Sequence, residues 1–324
     1  MDRYFRNVII VALICLTTST VVNAQHFTEF VFDDTAPANI RQTMQNNAMA
    51  VFRQIHESHF NDRQGVTLSA SNATPEAIER IQALWSTSRF FCVLPFMTRP
   101  VLSTSNGWQV RNIPVFFVEG ANLEEQYQYL VLEFTPSGLI ADIFIALPMH
   151  QYREILQGAT DVTDFRRRQL VLGFVEDFRT AFNRRDINFI EQVFSDDALI
   201  IVGREVRRSG DSSLLPAGLG NVEVEYFHRT KAEYIAGLRR VFAQNAFINI
   251  RFEDIEVIQD EERGHIYGVT LRQHWNTTNY SDEGWLFLMI DFRNEDAPMI
   301  WVRTWQPLSV PRNRVFGLVD FDMR

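Results

Sequence analysis

The sequence predicts an α+β protein of two tandem cone-shaped domains, each a curved antiparallel sheet wrapped around helices. Three observations lead there. The stretch Asp282–Pro307, DEGWLFLMIDFRNEDAPMIWVRTWQP, holds two strongly apolar runs, Trp285–Phe292 and Met299–Trp305, separated by the polar, proline-closed Arg293–Pro298. Strand-forming runs on either side of a turn cluster read as an antiparallel hairpin. The same design occurs earlier in Gln126–Pro148, QYQYLVLEFTPSGLIADIFIALP, where an aromatic and aliphatic strand again ends in an acid followed by phenylalanine, Glu133-Phe134 against Asp291-Phe292. A repeated supersecondary unit implies two related domains. In both halves the helical patterns precede the strands instead of alternating with them, which is an α+β order. At roughly 100–200 residues per domain, the 324 residues accommodate two.

Arg3 and Arg6 precede an apolar core, Val8–Leu16, and Val22-Asn23-Ala24 puts small residues where a signal peptidase reads. Residues 1–24 are therefore expected to be a secretory signal peptide cleaved after Ala24. The apolar run is short for a membrane span, and the bulky Ile14 before Cys15 argues against lipidation. The mature chain then keeps one cysteine, Cys92, too few for an internal disulfide. Among Phe90, Phe91, Val93 and Leu94 it reads as a small buried strand residue.

The first domain is expected over residues 38–148. Ile40, Met44, Ala48, Val51, Phe52 and Ile55 recur at helical spacing through Asn39–Phe60. Asn61–Asn72 is polar and reads as a loop. Thr74-Pro75-Glu76 opens a second helix, with threonine as cap and proline in the first turn, and Ile78, Ile81, Leu84 and Trp85 form its buried face. Arg89–Val101, interrupted by two prolines, and Trp108–Glu119 supply strands before the first hairpin. Met149–Gly158 reads as a short helix, and Gly158–Thr163 as the boundary.

The second domain is expected over residues 164–307. Phe165–Phe182 carries Leu170, Phe174, Val175, Phe178 and Phe182 along one helical stripe. Ile187–Phe194 reads as a short helix, Ala198–Val202 as a strand, Gly203–Asn221 as a long charged loop, and Thr230–Phe242 as a third helix. Phe247–Gln259, Gly264–Trp275 and the closing hairpin make the sheet. Residues 308–324 form a C-terminal tail, in which Val315–Phe321 either adds an edge strand or docks on the sheet.

The element order of Asp164–Pro307 resembles the nuclear-transport-factor-2-like superfamily: a long helix with an apolar stripe, the short helix Asp186–Phe194, the acidic turn and strand Ser195-Asp196-Asp197-Ala198-Leu199-Ile200, a third helix and a long bent antiparallel sheet. The closing YSDEGWLFLMIDFRNEDAPMIWVRTWQP also resembles a group of exported Bacteroidetes proteins, and the first half resembles a more diverged copy of the same fold. The resemblance implies a sheet curled around the long helix with a pocket at the open end. Some members use that pocket as isomerases, dehydratases or epoxide hydrolases, while others only bind, so fold does not fix function.

A net charge of −9 without a dense basic run argues against nucleic-acid binding. Arg166-Arg167-Arg168 and Arg207-Arg208 read as solvated helix or loop charges. His56 and His59 lie three apart on a helix with no further ligand at zinc spacing, so no metal site is assigned, and no sequence fingerprint calls for a cofactor. His274 ends a strand beside Trp275, in the sheet that by the resemblance lines the cavity. Alternation puts Met299, Trp301, Arg303 and Trp305 on one face of the last strand and Ile300, Val302 and Thr304 on the other. Trp301 and Trp305 then flank Arg303 as pocket walls would, and Asp291 is its first candidate partner by hairpin proximity. The expected ligand-binding set is Trp301, Arg303, Trp305, Asp291 and His274. No residue is assigned as catalytic, because no serine elbow, phosphate loop or paired acid and base is evident. The reading is an exported, periplasmic or secreted, non-catalytic protein that binds a small molecule or a protein in the second-domain cone. After signal cleavage no membrane insertion is expected. The alternatives are a small-molecule lyase or isomerase using that cavity, and a protein scaffold whose sheet faces and tail bind a partner or a further copy.

Overall fold

The computed structural model describes residues 27–104, 106–119, 123–207 and 222–321. The signal peptide with its cleavage site, Cys15 and most of the Gly203–Asn221 loop lie outside the described residues. The first half runs β1 (Glu29–Phe32), α1 (Ala38–Phe60), α2 (Pro75–Thr87), β2 (Phe90–Cys92), β3 (Phe96–Arg99), β4 (Val101–Thr104), β5 (Gly107–Phe117), α3 (Leu123–Gln126), β6 (Tyr127–Phe134) and β7 (Ile140–Ile145). Its five-stranded sheet has the order β2-β5-β6-β7, with β4 also on β5. Helix α1 buries Met44, Ala48, Val51, Phe52 and Ile55 as the spacing predicts, and the Thr74 hydroxyl caps α2 by accepting from the Ala77 amide at 3.2 Å. Two elements went unread: the short helix α3 and the strand β1, whose Glu29–Phe32 pairs in parallel with Phe96–Arg99 as a two-stranded ribbon. Cys92 is buried as expected, its thiol pushed up by that burial.

The second half runs α4 (Met149–Gln157), α5 (Val162–Asn183), α6 (Ile187–Val193), β8 (Phe194–Arg207), β9 (Val222–Arg229), α7 (Lys231–Gln244), β10 (Ile248–Gln259), β11 (Ile266–Thr277), β12 (Ser281–Asp291) and β13 (Met299–Pro307). Its six strands are ordered β10-β11-β12-β13-β8-β9; β13 and β8 are parallel and the other neighbours antiparallel. Helix order, strand order and the bent antiparallel sheet are those the resemblance implied. Strand β8 continues to Arg207 instead of stopping at Val202, and β9 occupies residues between the expected loop and the third helix that the sequence reading leaves unassigned. The concave face packs on the α5 stripe Val171, Phe174, Val175, Phe178 and Phe182. Bulges bend both sheets: at Val110/Ile113, with Asn112 at φ 62, and at Glu253/Glu256, with Asp254 at φ 50. An extra residue on one strand kinks the ladder and raises local twist, which is how a flat sheet becomes a cone.

The tail docks on the sheet instead of extending it. Phe316, Leu318 and Phe321 cover Ile266, Phe287, Met289 and Val302 on the convex face. Phe321 stacks on Phe287 at 5.6 Å, and Gln306 accepts from the Phe316 amide at 2.8 Å. Gly268 makes room for this strap: a Cβ there would stand 2.6 Å from Leu318 Cγ. Among the described residues no helix is long and apolar enough to cross a membrane.

Helix α5 belongs to both halves. Its apolar stripe fills the second core, while Glu176, Arg179 and Thr180, with Arg184 just past its end, reach the first half at β5, β6, β7 and the residues after β7. Glu176 pairs with Arg111 and accepts from the Leu147 amide at 2.8 Å. Thr180 accepts from the Ile145 amide at 2.9 Å. Arg179 is 2% exposed and donates to the Ile250 and Ala146 carbonyls at 2.6 and 3.2 Å and to Gln128. Arg184 meets Asp177 at 3.0 Å, Asp186 at 3.3 Å and Asp142 at 3.9 Å. The expectation of solvated charges at Arg166-Arg167-Arg168 holds for Arg166, whose side chain is exposed, and needs correction for the other two. Arg168 is largely buried and pairs with Asp164 at 2.9 Å, and Arg167 donates to the Gly264 carbonyl.

Candidate functional site

Alternation fixes which side chains face the cone. The residues of β11 that join the core are Tyr267, Val269 and Leu271, and those of β12 are Leu286, Leu288 and Ile290. Continuing outward with period two, Gln273 and Trp275 of β11 face the same way. With β8, β13 and the face of α7 carrying Tyr234, Leu238 and Val241, they enclose a cavity of ≈ 840 Å³. The register stacks it in rows: Arg303 opposite Leu288, Trp305 opposite Leu286, and Pro307 opposite Gly284, which in turn pairs with Gln273. Asn279, Tyr280, Asp282 and Glu283, around the β11–β12 turn, form the mouth together with Leu308 and Gln244.

Arg303 sits deep. It is 6% exposed, its guanidinium stands over the Tyr234 ring at 4.9 Å, and its Nε has no hydrogen-bond partner. Burial pushes the Tyr234 phenol up even though the Arg303 charge pulls the other way. Nearer the mouth, the Trp305 indole crosses β12 at Gly284, where a Cβ would fall 2.6 Å from Trp305 Cζ2. Only a glycine there lets the indole lie against the strand. Gln273 and Thr277, each 5% exposed, are further buried polar lining residues of the sheet. At the rim, Tyr280 donates to Asp282 at 2.5 Å; burial and the Asp282 carboxylate raise its phenol well above the ordinary tyrosine value.

Of the five expected site residues, the structure brings Arg303 and Trp305 into this cavity and leaves three outside. A bulge between Ile300 and Val302 shifts the alternation of β13. Ile300 therefore joins the inner core, while Trp301 packs with the convex-face cluster under the tail. Asp291 points to the convex side, where the Arg293 amide and guanidinium bind it at 2.8 and 2.7 Å. It lies opposite Met299, not Arg303. His274 has the wrong parity for the cavity; it meets Glu253 at 2.9 Å and Glu283 at 3.6 Å in an outer network with Arg272. His56 and His59 are half-buried, and His59 stacks on Phe91 at 4.4 Å. Tyr234, Gln273 and Trp275 went unread as site residues. Their signals were present, a Tyr234-Leu238-Val241 helical face and the alternation Gln273-Trp275-Thr277, but neither differs from a core pattern until the strand order is known.

Neither a family model nor a curated protein matches the chain. Solved structures similar to it include Bd1075 of Bdellovibrio bacteriovorus, at 14% identity and TM-score 0.34 over 47% of this chain and 44% of that one. An NTF2-like protein of Cytophaga hutchinsonii matches at 14% identity and TM-score 0.30, over 44% of this chain and 98% of that one. ActVI-ORFA of Streptomyces coelicolor matches at 17% identity and TM-score 0.30, over 44% and 97%. The last two are each spanned almost whole by less than half of this chain. At such scores the likeness carries no argument about chemistry.

Proposed function

We propose that the chain is an exported, non-catalytic binding protein that holds a small molecule in the open end of its second cone. The observation that supports this reading is the lining of the ≈ 840 Å³ cavity, a size typical of ligand sites. Its depth is aromatic and aliphatic around a single guanidinium, and its carboxylates, Glu205, Asp282 and Glu283, stand at the rim. Asp282 is engaged by Tyr280, and Glu283 reaches Arg272 and His274 on the outer surface. A general base needs to reach the proton it removes, and no carboxylate or imidazole of the described lining stands beside Arg303. The test is to purify the protein natively, denature it and identify released small molecules by mass spectrometry. Wild type should release a stoichiometric compound, and Val241→Trp, which fills the cavity from α7, should release none; equal yields would sink the reading.

The Tyr280–Asp282 pair is the one feature that favours the rival reading, a lyase or isomerase with Asp282 as base at the mouth. Under that reading the wild type converts the released compound and Asp282→Asn does not. Under ours neither does. Export is tested by the mass of the mature N-terminus, which should begin at Gln25; an intact Met1 would overturn it.

A further inference from the structure

In the second cone the buried guanidinium of Arg303 has neither a counter-charge nor a hydrogen bond among the described residues. Among the described residues no carboxylate lies within ion-pairing distance of Arg303, no hydrogen bond satisfies it, and its contact is the Tyr234 ring. Burying an unpaired charge is destabilising, so a site that keeps one is built for an anion that arrives from outside. Resting on the binding role proposed above, we propose that the ligand is a flat, amphipathic monocarboxylate, its carboxylate on Arg303 and its ring system against Trp305.

Each part has its own observation. A guanidinium presents a planar donor fork that a carboxylate matches with two parallel hydrogen bonds. The surface leading outward from it is the Trp305 indole, held flat against the sheet because position 284 is glycine, and a flat face selects a flat partner through offset stacking. Gln273 has no side-chain hydrogen bond among the described residues and faces the same space, 5% exposed. It stands in the Pro307–Gly284 row, four residues beyond Arg303 along the sheet, so at a rise of about 3.3 Å per residue the two backbone rows are about 13 Å apart along the strand direction. That distance sets the length of the ligand and calls for a hydrogen-bonding group at its outer end. The rim carboxylates Glu205, Asp282 and Glu283 disfavour a dianion at the entrance, so a carboxylate fits where a phosphate ester does not.

The test uses 1-pyrenebutyrate and its neutral counterpart 1-pyrenebutanol, titrated into the full chain and followed by pyrene fluorescence and calorimetry. Wild type should bind the acid at least tenfold more tightly than the alcohol. Arg303→Gln should lose roughly tenfold to a hundredfold on the acid, the range of one charge-assisted contact, and leave the alcohol unchanged. Arg303→Lys should keep part of the preference. Excess inorganic phosphate should not displace the acid. Without ligand, Arg303→Gln should melt no lower than wild type. Equal affinity of wild type for acid and alcohol overturns the proposal and needs no variant. Unchanged acid affinity in Arg303→Gln, or displacement by phosphate, overturns it too. If both probes bind without discrimination and Val241→Trp blocks both, the carboxylate assignment falls while the cavity remains a binding site. If neither probe binds wild type, the assignment falls, and extraction of the native ligand decides separately on the cavity.

Discussion

Arg303 and Arg111 are both guanidiniums removed from water, and they lead to opposite expectations. Burial works against the Arg111 charge, but Glu176 beside it outweighs burial and makes the arginine hold its proton more firmly than usual. Glu176→Ala would strand that charge and free the Leu147 amide, so it should cost about 3–5 kcal/mol in urea unfolding, as breaking a buried pair does; a loss under about 1 kcal/mol would contradict the pairing. Arg303 has no such partner, and its removal should not destabilise the free protein. Asp164 gives a prediction in pH. Burial would raise its carboxyl, but the Thr160 amide, Arg168 and Tyr267 outweigh it and hold it below the ordinary value. A depressed carboxyl contributes stability that is present above the unfolded value, 3.8, and is lost as the pH falls through the folded one. The stability gap between wild type and Asp164→Asn should therefore be widest near neutrality and close below about pH 4. Arg303 and Trp305 were legible because a cation between aromatics stands out in any strand. His274 and Asp291 misled because each is one residue out of phase with the cavity, and phase is set by pairing that the sequence does not state.

At the scale of elements, the instructive strand is β13. Its two ends obey alternation and its middle does not, because one extra residue at the bulge lets Ile300 and Arg303 face inward together. Bulges have no reliable local signature, whereas every helix but the four-residue α3 was read within a few residues, since caps and spacing are written locally. Thr230 and Glu233 show this: the Glu233 amide donates to the Thr230 hydroxyl at 3.2 Å and the Glu233 carboxylate accepts from the Thr230 amide at 2.9 Å. Thr230→Ala should cost about 1 kcal/mol by thermal melting. The tail makes a sharper case. With a Cβ at position 268 only 2.6 Å from Leu318, Gly268→Ala should lift residues 316–321 off the convex face, at about 1–3 kcal/mol for the overpacking. Faster amide exchange in that segment and new binding of a hydrophobic dye to Phe287, Met289 and Val302 would show it. Unaltered exchange would mean that Leu318 is not wedged there.

Across the whole molecule, the two cones were legible because a hairpin pattern occurs twice. The way they join was not. The face of α5 carrying Glu176 and Arg179, continued by Arg184 just past the helix, is charged, and a charged helical face ordinarily faces water. Here it is buried against the first half, and each of those three residues is 4% exposed or less. With α5 in the core of one half and hydrogen-bonded to the other, the halves should unfold together: tryptophan fluorescence and far-ultraviolet dichroism should give one coincident transition in urea, and two separated ones would contradict the shared helix. Duplicated units are often treated as cassettes that can be cut out and grafted, and this chain forbids it. A cut near Gly158 would leave one fragment with Val131, Phe144 and Ala146 bare on the back of its sheet. The other would carry a central helix whose Arg179 has lost Gln128 and the Ala146 carbonyl, and whose Glu176 has lost Arg111. A transplant that succeeds must therefore take α5 with the first half as well as the second, which a linear chain can do only by being kept whole.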